Sequence, residues 1–150
     1  MIAVIQRVKF ARVTIENQNF SEIGHGLLVL LGVSDSDLPK DSTKLSVKIP
    51  KLRIFSDFDG KMNLSVLDVG GEILVVSQFT LLADASQGNR PSYIKAARPE
   101  VATPLYQQFC KEMELNTKKE VKTGMFGADM KIELLNDGPV TIILDSNQLK

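Results

Sequence analysis

The apolar run from Leu27 to Val33 (Leu-Leu-Val-Leu-Leu-Gly-Val) constrains the fold more than any other segment of this chain. Its apolar residues occupy successive positions, so both faces of an extended segment would be apolar. A strand of this kind needs cover on both faces, which is typical of the centre of a sheet. The run is far shorter than the ~20 residues that a membrane-spanning helix requires. We therefore predict a buried central strand rather than a membrane span.

Helical periodicity predicts two main helices elsewhere in the chain. The first begins at Asp41, interpreted as its N-cap, and ends at about Leu52. Pro50 lies near the end of this helix and should stop or bend it, because proline has no N–H to donate. The second helix covers roughly Pro104 to Leu115, with the proline in its first turn.

Period-two patterning predicts strands over much of the remaining chain. Before residue 16 we expect a strand, an irregularity at Ala11-Arg12 and a second strand. Near the end, Asn136-Asp137-Gly138-Pro139 is interpreted as a turn between strands 130–135 and 140–144, since Asn-Asp-Gly is typical of hairpins. The other predicted strands are Phe20–Ile23, Arg53–Phe55, Glu72–Phe79 and Val121–Thr123.

These roughly eight strands and two main helices are joined mostly by short turns. Short connections favour antiparallel pairing, so the predicted fold class is α+β, a single compact β-rich domain over residues 1–150. The composition agrees with a folded domain, since 43% of the residues are apolar and 18 basic residues balance 18 acidic ones. Residues Met1–Arg7 show no basic leader or long apolar stretch, so we expect a cytoplasmic protein that does not enter a membrane.

The single cysteine and single histidine limit the chemistry that the chain can perform. One cysteine excludes an internal disulfide and a thiolate zinc cluster, although an all-oxygen magnesium or calcium site is not excluded. We assign no metal and no cofactor. His25 lies in a Gly-His-Gly turn and is interpreted as an exposed turn residue rather than a catalytic base. Cys110 lies in the second predicted helix and is interpreted as an inert, partly buried thiol.

A lysine-rich face is predicted on the first helix, formed by Lys40, Lys44, Lys48 and Lys51. Such a face is usually only solvated. It could also contact phosphates, because residues 40–53 carry five basic groups and one acid. The neutral overall charge argues against nonspecific coating of nucleic acid, and we expect no DNA partner.

Polar side chains at the end of a buried strand indicate the candidate active site. In Ser77-Gln78-Phe79-Thr80-Leu81, three hydrogen-bonding side chains follow the apolar Val75-Val76. A strand that simply leaves the core would look the same, so this pattern alone assigns no function. The Gly138-Pro139 bond is a second candidate feature, because a peptide bond before proline can be cis. Only about 5–6% of such bonds are cis in folded proteins, and the sequence does not show which form this one takes.

Taken together, Ser77-Gln78-Phe79-Thr80-Leu81 and Asn136-Asp137-Gly138-Pro139-Val140-Thr141 resemble the paired signature of the D-aminoacyl-tRNA deacylases. The resemblance extends over nearly the whole chain. Its other matching segments are Ile5–Val8, Ile23–Val29, Leu52–Phe55, Gly60–Ser65, Gly88–Ser92 and Met125–Ala128.

The resemblance implies a homodimer with active sites at the subunit interface, which hydrolyses the ester of D-aminoacyl-tRNA and of glycine mischarged on tRNA. It implies that Gly138-Pro139 is cis, enters the partner's pocket and rejects L-amino acids by a steric clash, and that Arg7 holds this turn. Rejection by backbone would predict broad tolerance among D-amino acids. The resemblance also assigns the adenosine pocket to the region of Met125, Phe126 and Gly127.

Two mechanisms of ester hydrolysis are compatible with these residues. Thr80 Oγ could attack the carbonyl, but a hydroxyl nucleophile needs a nearby base and none is evident. Alternatively, water attacks with help from the adenosine 2′-OH while backbone N–H groups near Phe79 and Thr80 stabilise the oxyanion. We favour the second mechanism. The rival interpretations are a non-catalytic RNA-binding module that uses the Lys40/Lys44/Lys48 face, and a small-molecule esterase with Thr80 or Ser77 as nucleophile.

Overall fold

A computed structural model describes all residues, 1–150. The strands are β1 (Ile2–Ile15), β2 (Gln18–Ile23), β3 (Gly26–Gly32), β4 (Phe55–Ser56), β5 (Met62–Leu64), β6 (Glu72–Ser77), β7 (Lys122–Thr123) and β8 (Lys131–Asp145). The two α-helices are α1 (Pro39–Lys48) and α2 (Pro99–Thr117). Three short 3-10 helices cover Ile49–Lys51, Phe79–Leu82 and Ser146–Gln148.

The long strand β1 organises the main sheet. On one side it pairs with β8 almost along its whole length, and on the other side it pairs first with β3 and then with β2, always antiparallel. The sheet then continues from β3 to β6 and from β6 to β7 through parallel pairs. A separate antiparallel hairpin joins β4 and β5. The predicted α+β class with mainly antiparallel strands is confirmed, with parallel pairing confined to one end of the sheet.

The central position predicted for the apolar run is confirmed. Strand β3 lies between β1 and β6, and its residues alternate between two buried clusters. Leu27, Val29 and Leu31 face the cluster that both helices cover. Leu28 faces the second cluster. The sheet curls around this cluster and brings β2 close to β7, where Ser21 Oγ donates to the carbonyl of Thr123 at 2.7 Å.

The prediction of two strands before residue 16 is wrong, because β1 is continuous. The expected irregularity exists as a register shift against β8 between Val8 and Ala11. Both of these residues are buried in the second cluster, although strict alternation would place them on opposite faces. The irregularity therefore changes which face the side chains occupy without ending the strand.

The predicted hairpin turn at Asn136–Pro139 is also wrong. Strand β8 runs through it without reversing, and both halves pair with β1. Between the pairs Gln6–Thr141 and Val8–Asn136, β1 advances by two residues and β8 by five. The extra residues leave the ladder as a bulge. Local turn propensity is overruled here because one partner strand offers hydrogen bonds to both flanks.

Both helices begin earlier than the periodicity predicts. Helix α1 begins at Pro39, and Asp41 is not its N-cap but accepts a hydrogen bond from the N–H of Leu38 at 2.9 Å. Its α-helical part ends at Lys48 and a 3-10 turn containing Pro50 follows, so the expected effect of that proline is confirmed. Helix α2 begins at Pro99, which places Pro104 inside the helix rather than in its first turn. No helix is both long enough and apolar enough to cross a membrane.

Candidate active site

A cleft of about 340 Å³ opens where β3 and β6 end beside the start of α2. Three parts of the chain form it: the ends of these two strands, residues 97–106, and residues 126–132. Its lining residues are Leu31, Val33, Val76, Ser77, Gln78, Phe79, Ala97, Ala102, Tyr106, Phe126, Gly127, Ala128, Asp129, Met130 and Ile132. The lining is therefore mostly apolar, with a few polar groups from the end of β6 and from the segment before β8.

The turn after β6 is held against the end of β3. The N–H of Gln78 donates to the carbonyl of Leu31 at 2.8 Å, and the chain then enters the 3-10 helix at Phe79. A glycine is required opposite this turn, because a Cβ at Gly32 would lie 2.7 Å from Leu82 Cδ2 and 3.0 Å from the carbonyl oxygen of Gln78. This close packing fixes the position of Ser77, Gln78 and Phe79 relative to the end of β3.

The polar side chains after β6 have different surroundings. Ser77 and Gln78 are half-buried and line the cleft. Thr80 lies just outside the lining, and its Oγ accepts a hydrogen bond from Gln78 Nε2. Phe79 is 56% exposed. The N–H groups of Phe79 and Thr80 begin the 3-10 helix, so they have no acceptor within it.

The segment predicted to bind adenosine contributes two of its three residues to the same cleft. Phe126 and Gly127 line it, whereas Met125 is exposed and does not. The ring of Phe126 lies 5.8 Å from that of Tyr106, whose hydroxyl donates to the carbonyl of Val75 at 2.9 Å. Gly127 has φ +80°, a backbone conformation that favours glycine.

The titratable side chains that line the cleft are Tyr106 and Asp129. Burial raises the pKa of the Tyr106 hydroxyl, and that hydroxyl is occupied by Val75. Asp129 is exposed and paired with Lys131 at 2.8 Å. His25 precedes the first residue of β3, whereas the cleft lies at its last residues, about 17 Å further along the strand at ~3.3 Å per residue.

The single cysteine lies in α2. Burial raises the pKa of the Cys110 thiol to about 12, and the thiol is partly buried as predicted. No group of three or more His, Cys, Asp or Glu side chains is arranged to hold a metal ion.

Arg7, Gly138 and Pro139 form a second group away from this cleft. The Gly138–Pro139 peptide bond is cis and both residues are exposed. Arg7 is buried, and it donates from Nε to the carbonyl of Asp137 at 3.0 Å and from Nη1 to the carbonyl of Ile54 at 2.8 Å. Neither Gly138 nor Pro139 lines the cleft of its own chain.

The bulge is fixed from a second direction by Asn136. Its Nδ2 donates to the carbonyl oxygens of Arg7 and Val140, each at 3.0 Å. Asp137 adds weaker ion pairs, at 3.5 Å to Arg7 and 3.6 Å to Lys9. The four-residue bulge is therefore held at both ends while its tip, Gly138–Pro139, stays accessible.

Several residues at the cleft were not predicted from the sequence. Ala102 and Tyr106 line it from one face of α2, where their spacing of four residues was the available signal. That signal was lost because the helix was predicted to begin at Pro104. Tyr93 was also missed. Its ring lies 5.2 Å from that of Phe79, in an edge-to-face arrangement just outside the lining.

The lysine-rich face of α1 is present. Lys40, Lys48 and Lys51 are exposed, and none of the three forms an ion pair. Lys44 is half-buried and donates to the carbonyl of Ser146 at 3.3 Å. The nearby carboxylates do not neutralise these lysines. Asp41 is buried, and Glu112 accepts hydrogen bonds from four side chains. The face is therefore positively charged although the whole chain is neutral.

Comparison with known proteins gives consistent matches over almost the full length. The profile of the family described as D-Tyr-tRNA(Tyr) deacylase matches residues 4–145. D-aminoacyl-tRNA deacylases of Parabacteroides distasonis and Bacteroides thetaiotaomicron are 60% and 58% identical to the chain, over 97% of both sequences in each case.

Two solved structures share the fold. One, described as c-Myc DNA Unwinding Element Binding Protein, is 42% identical with a TM-score of 0.90, and the match covers 97% of this chain and 98% of that one. The other, described as a probable eukaryotic D-amino acid tRNA deacylase, is 17% identical with a TM-score of 0.81, covering 95% and 97%. At that identity the second likeness concerns the fold alone.

Proposed function

Because the chain belongs to the D-Tyr-tRNA(Tyr) deacylase family, we propose that its cleft receives the terminal adenosine of an aminoacyl-tRNA together with the esterified amino acid. The enzyme hydrolyses D-aminoacyl-tRNA to free D-amino acid and tRNA. One observation carries the assignment of the site. Ser77, Gln78 and Phe79 meet Phe126 and Gly127 in a single cleft, although about fifty residues separate the two segments.

The proposed reaction needs few functional groups. The ester carbonyl lies against the N–H groups of Phe79 and Thr80, which stabilise the negative charge on its oxygen as water adds to the carbon. The bond between the carbonyl carbon and the ribose oxygen then breaks. The adenosine 2′-OH passes a proton from the attacking water to the leaving ribose oxygen. The products are a free amino acid and an intact 3′ end.

The surroundings of Thr80 favour this mechanism over attack by its hydroxyl. Thr80 Oγ accepts a hydrogen bond from the Gln78 amide, which cannot remove a proton. None of Tyr106, Asp129 and His25 is hydrogen-bonded to Thr80: Tyr106 donates to Val75, Asp129 is paired with Lys131, and His25 lies at the other end of β3. A serine or threonine nucleophile requires a base within hydrogen-bond reach. We therefore assign Thr80 a role through its backbone N–H.

We further propose a homodimer in which Gly138–Pro139 of one subunit closes the cleft of the other and rejects L-amino acids. The bulge is exposed, held at both ends, and absent from its own cleft, so it is free to contact a second subunit. An apolar row across the sheet supports a contact surface nearby. Val4 pairs with Leu30 on one side and with Ile143 on the other, and Ile143 is 70% exposed.

This arrangement explains the proposed selectivity. A rigid backbone wall excludes the direction in which an L side chain leaves the α-carbon, and it needs no contact with the side chain itself. D-amino acids of many kinds are then accepted, and so is glycine, which has no side chain to exclude. We propose that residues 1–150 act as one deacylase domain in the cytoplasm, where charged tRNA is used.

A direct assay tests the proposed function. Purified protein is incubated with D-tyrosyl-tRNA and L-tyrosyl-tRNA, and release of the amino acid is followed over time. We expect release from the D form only. Release from neither would favour a non-catalytic RNA-binding module, and release that does not depend on the tRNA would favour a small-molecule esterase. Binding of duplex DNA is measured in parallel, since we expect no DNA partner.

The homodimer has a test of its own. Ile143→Glu places a charge on the proposed contact surface but leaves the monomer core untouched, because Ile143 is largely exposed. We expect the sedimentation mass to fall from that of a dimer to that of a monomer, with loss of deacylation. Leu115→Glu is the matched control, since Leu115 is 71% exposed on α2, in a different region. A wild-type protein that sediments as a monomer while remaining active would contradict the proposal.

One observation favours a second candidate role, which is contact with RNA through the Lys40/Lys44/Lys48 face of α1. Three of the lysines along this face, Lys40, Lys48 and Lys51, have no carboxylate partner. Unpaired lysines on one side of a helix attract phosphates without reading sequence. This role is compatible with catalysis, since the tRNA body must also be held.

A further inference from the structure

An exposed pair of aromatic rings marks the mouth of the cleft. Among the large apolar residues that line the cleft, Phe79 alone is mostly exposed, so its ring lies where the cleft opens to solvent. Tyr93 lies one ring further out, 41% exposed, with its centroid 5.2 Å from that of Phe79 and an angle of 69° between the planes. An edge-to-face pair leaves ring faces free for a third planar group.

Tyr93 is held in place although its loop is long. Residues 83–98 contain no helix or regular strand. The backbones of Asp84 and Ser92 exchange two hydrogen bonds of 2.8 Å, and the N–H of Ala96 donates to the carbonyl of Tyr93 at 3.0 Å. The loop is also tied to the end of β3, because the N–H of Asp35 donates to the carbonyl of Lys95 at 3.0 Å. Long loops held in this way are commonly functional.

The charge of this loop suits a nucleic acid strand. Residues 83–98 contain three basic side chains, Arg90, Lys95 and Arg98, and a single acid, Asp84. Lys95 lies 3.7 Å from Asp84, while neither arginine forms an ion pair. Asp129 also lines the cleft, but it is paired with Lys131 at 2.8 Å and so adds no net charge there. The loop that carries Tyr93 therefore has a net positive charge.

We propose that Tyr93, together with the ring of Phe79, stacks the base that precedes the terminal adenosine of the tRNA. This inference rests on the proposed function, since it assumes an adenosine in the cleft. Exposed aromatic rings interleaved with basic groups are how proteins hold single-stranded nucleic acid, and every base offers a face to stack. Tyr93 is thus a positioning residue: it holds the strand so that the ester reaches the N–H groups of Phe79 and Thr80.

The test compares Tyr93→Ala, Tyr93→Phe and Ile94→Ala. Loss of one stacked base typically weakens binding by about 5- to 150-fold, so we expect Tyr93→Ala to raise KM for D-tyrosyl-tRNA by about tenfold or more with little change in kcat. Tyr93→Phe keeps the ring and should restore KM to within about threefold, since the ring supplies the stacking. Ile94→Ala changes an exposed neighbour outside the aromatic pair and should have no effect.

A tRNA that is abasic at the penultimate position separates stacking from a structural effect. Wild-type enzyme should lose about as much on this substrate as Tyr93→Ala loses on intact tRNA, and combining both changes should cost no more than either alone. Additive losses would overturn the proposal, as would an unchanged KM for Tyr93→Ala. Wild-type protein that releases no D-amino acid would instead refute the proposed function, so the two failures are distinguishable.

Discussion

Arg7 Nε donates to the carbonyl oxygen of Asp137 at 3.0 Å, across 130 positions of the sequence. The same guanidinium reaches the carbonyl of Ile54 through Nη1. A buried cation thus ties the bulge of β8 to the segment before β4. Because the Gly138–Pro139 tip follows directly, we expect its position to depend on this side chain.

Replacing Arg7 tests that dependence. Each hydrogen bond to a charged group contributes about 1.5–3 kcal/mol, so Arg7→Ala should lower the free energy of unfolding by at least that much. The bulge should then shift, and the ratio of D to L release should fall. Arg7→Lys keeps the charge but lacks the rigid planar fork of donors, so it should be intermediate. Urea denaturation and the two-substrate assay measure both effects.

The control on the same strand is Arg12→Ala. Arg12 forms ion pairs with Glu22 at 3.5 Å and Glu133 at 3.6 Å, at the protein surface. Exposed pairs contribute about 0–1 kcal/mol, so this variant should keep both stability and selectivity. Equal effects of the two arginine substitutions would contradict a special role for Arg7.

Gly138→Ala addresses the tip itself. Gly138 has φ +128°, and a Cβ there would lie 2.8 Å from Val140 Cγ2 and 2.9 Å from Arg7 Nη2. We expect a loss of about 1–3 kcal/mol in stability from the backbone alone, together with reduced selectivity for the D form. Gly60→Ala is the control, since Gly60 has φ +79° with nothing within 4 Å of its Cβ position. It should lose stability but keep selectivity.

Thr80→Ala distinguishes the two mechanisms. If the backbone N–H groups stabilise the oxyanion, the variant should retain activity within about tenfold of wild type, because the substitution removes none of them. Loss of one such donor would lower the rate by about 10²–10³. Thr80→Ser is the matched comparison. A Thr80→Ala protein that folds and binds tRNA but releases no amino acid would favour nucleophilic attack by the Thr80 hydroxyl. Single-turnover release of D-tyrosine is the measurement.

Acid should weaken the contact between α1 and α2 through Glu112. Burial by itself raises the pKa of this carboxyl, but hydrogen bonds from Gln108, Thr43, Ser42 and Ser46 outweigh it and hold the pKa below its ordinary value of 4.5. A lowered folded-state pKa means stabilisation above pH ~4.5 that is lost as the pH falls through the folded pKa. Melting temperatures between pH 7 and pH 3 should show this loss.

Glu112→Gln identifies the contribution of this group. The variant should be less stable at pH 7 by about 1 kcal/mol, a modest effect because solvent screens a half-buried carboxylate. Its melting temperature should also fall less steeply below pH 4.5 than that of the wild type. Parallel pH curves for the two proteins would show that other carboxylates account for the acid sensitivity.

The lysine face of α1 predicts a dependence on salt. Lys48→Gln with Lys51→Gln should reduce the slope of log(kcat/KM) against log[salt] by about 1 or more. The reason is that fewer counterions are released from the tRNA when fewer lysines contact its phosphates. The control pair, Lys61→Gln with Lys118→Gln, removes the same charge from exposed positions elsewhere. Identical slopes for the two double variants would show that α1 does not contact the tRNA.

Much of the local structure could be predicted from the sequence, because buried apolar residues recur with one period in strands and another in helices. The run from Leu27 to Val33 was predicted as a strand covered on both faces, and the spacing of Leu45 and Ile49 is typical of a helix that buries one face. The motif around Ser77–Thr80 was also found directly, since polar residues at the end of an apolar strand are visible without a fold. Helix starts were less accurate because prolines can occupy either the first turn or the interior.

The turn at Asn136–Pro139 shows where local reasoning fails. The four residues favour a reversal by their own chemistry, yet β8 continues because β1 is long enough to pair with both flanks. Likewise, helical periodicity predicted a helix over Pro104–Leu115 but did not indicate that Ala102 and Tyr106 would line a cleft. Pairing between distant segments is not encoded in either segment alone.

The sequence by itself therefore determined the central strand, the helical segments, the fold class and the residues through which the chain resembles its family. Only the tertiary structure brought Phe126 beside Ser77 and Phe79, anchored Arg7 to Asp137, and left Gly138–Pro139 outside the cleft of its own chain. The physical reason is that periodic burial is a property of neighbouring residues. The strand register that joins residues more than a hundred positions apart is instead selected by the hydrogen bonding and packing of the whole sheet.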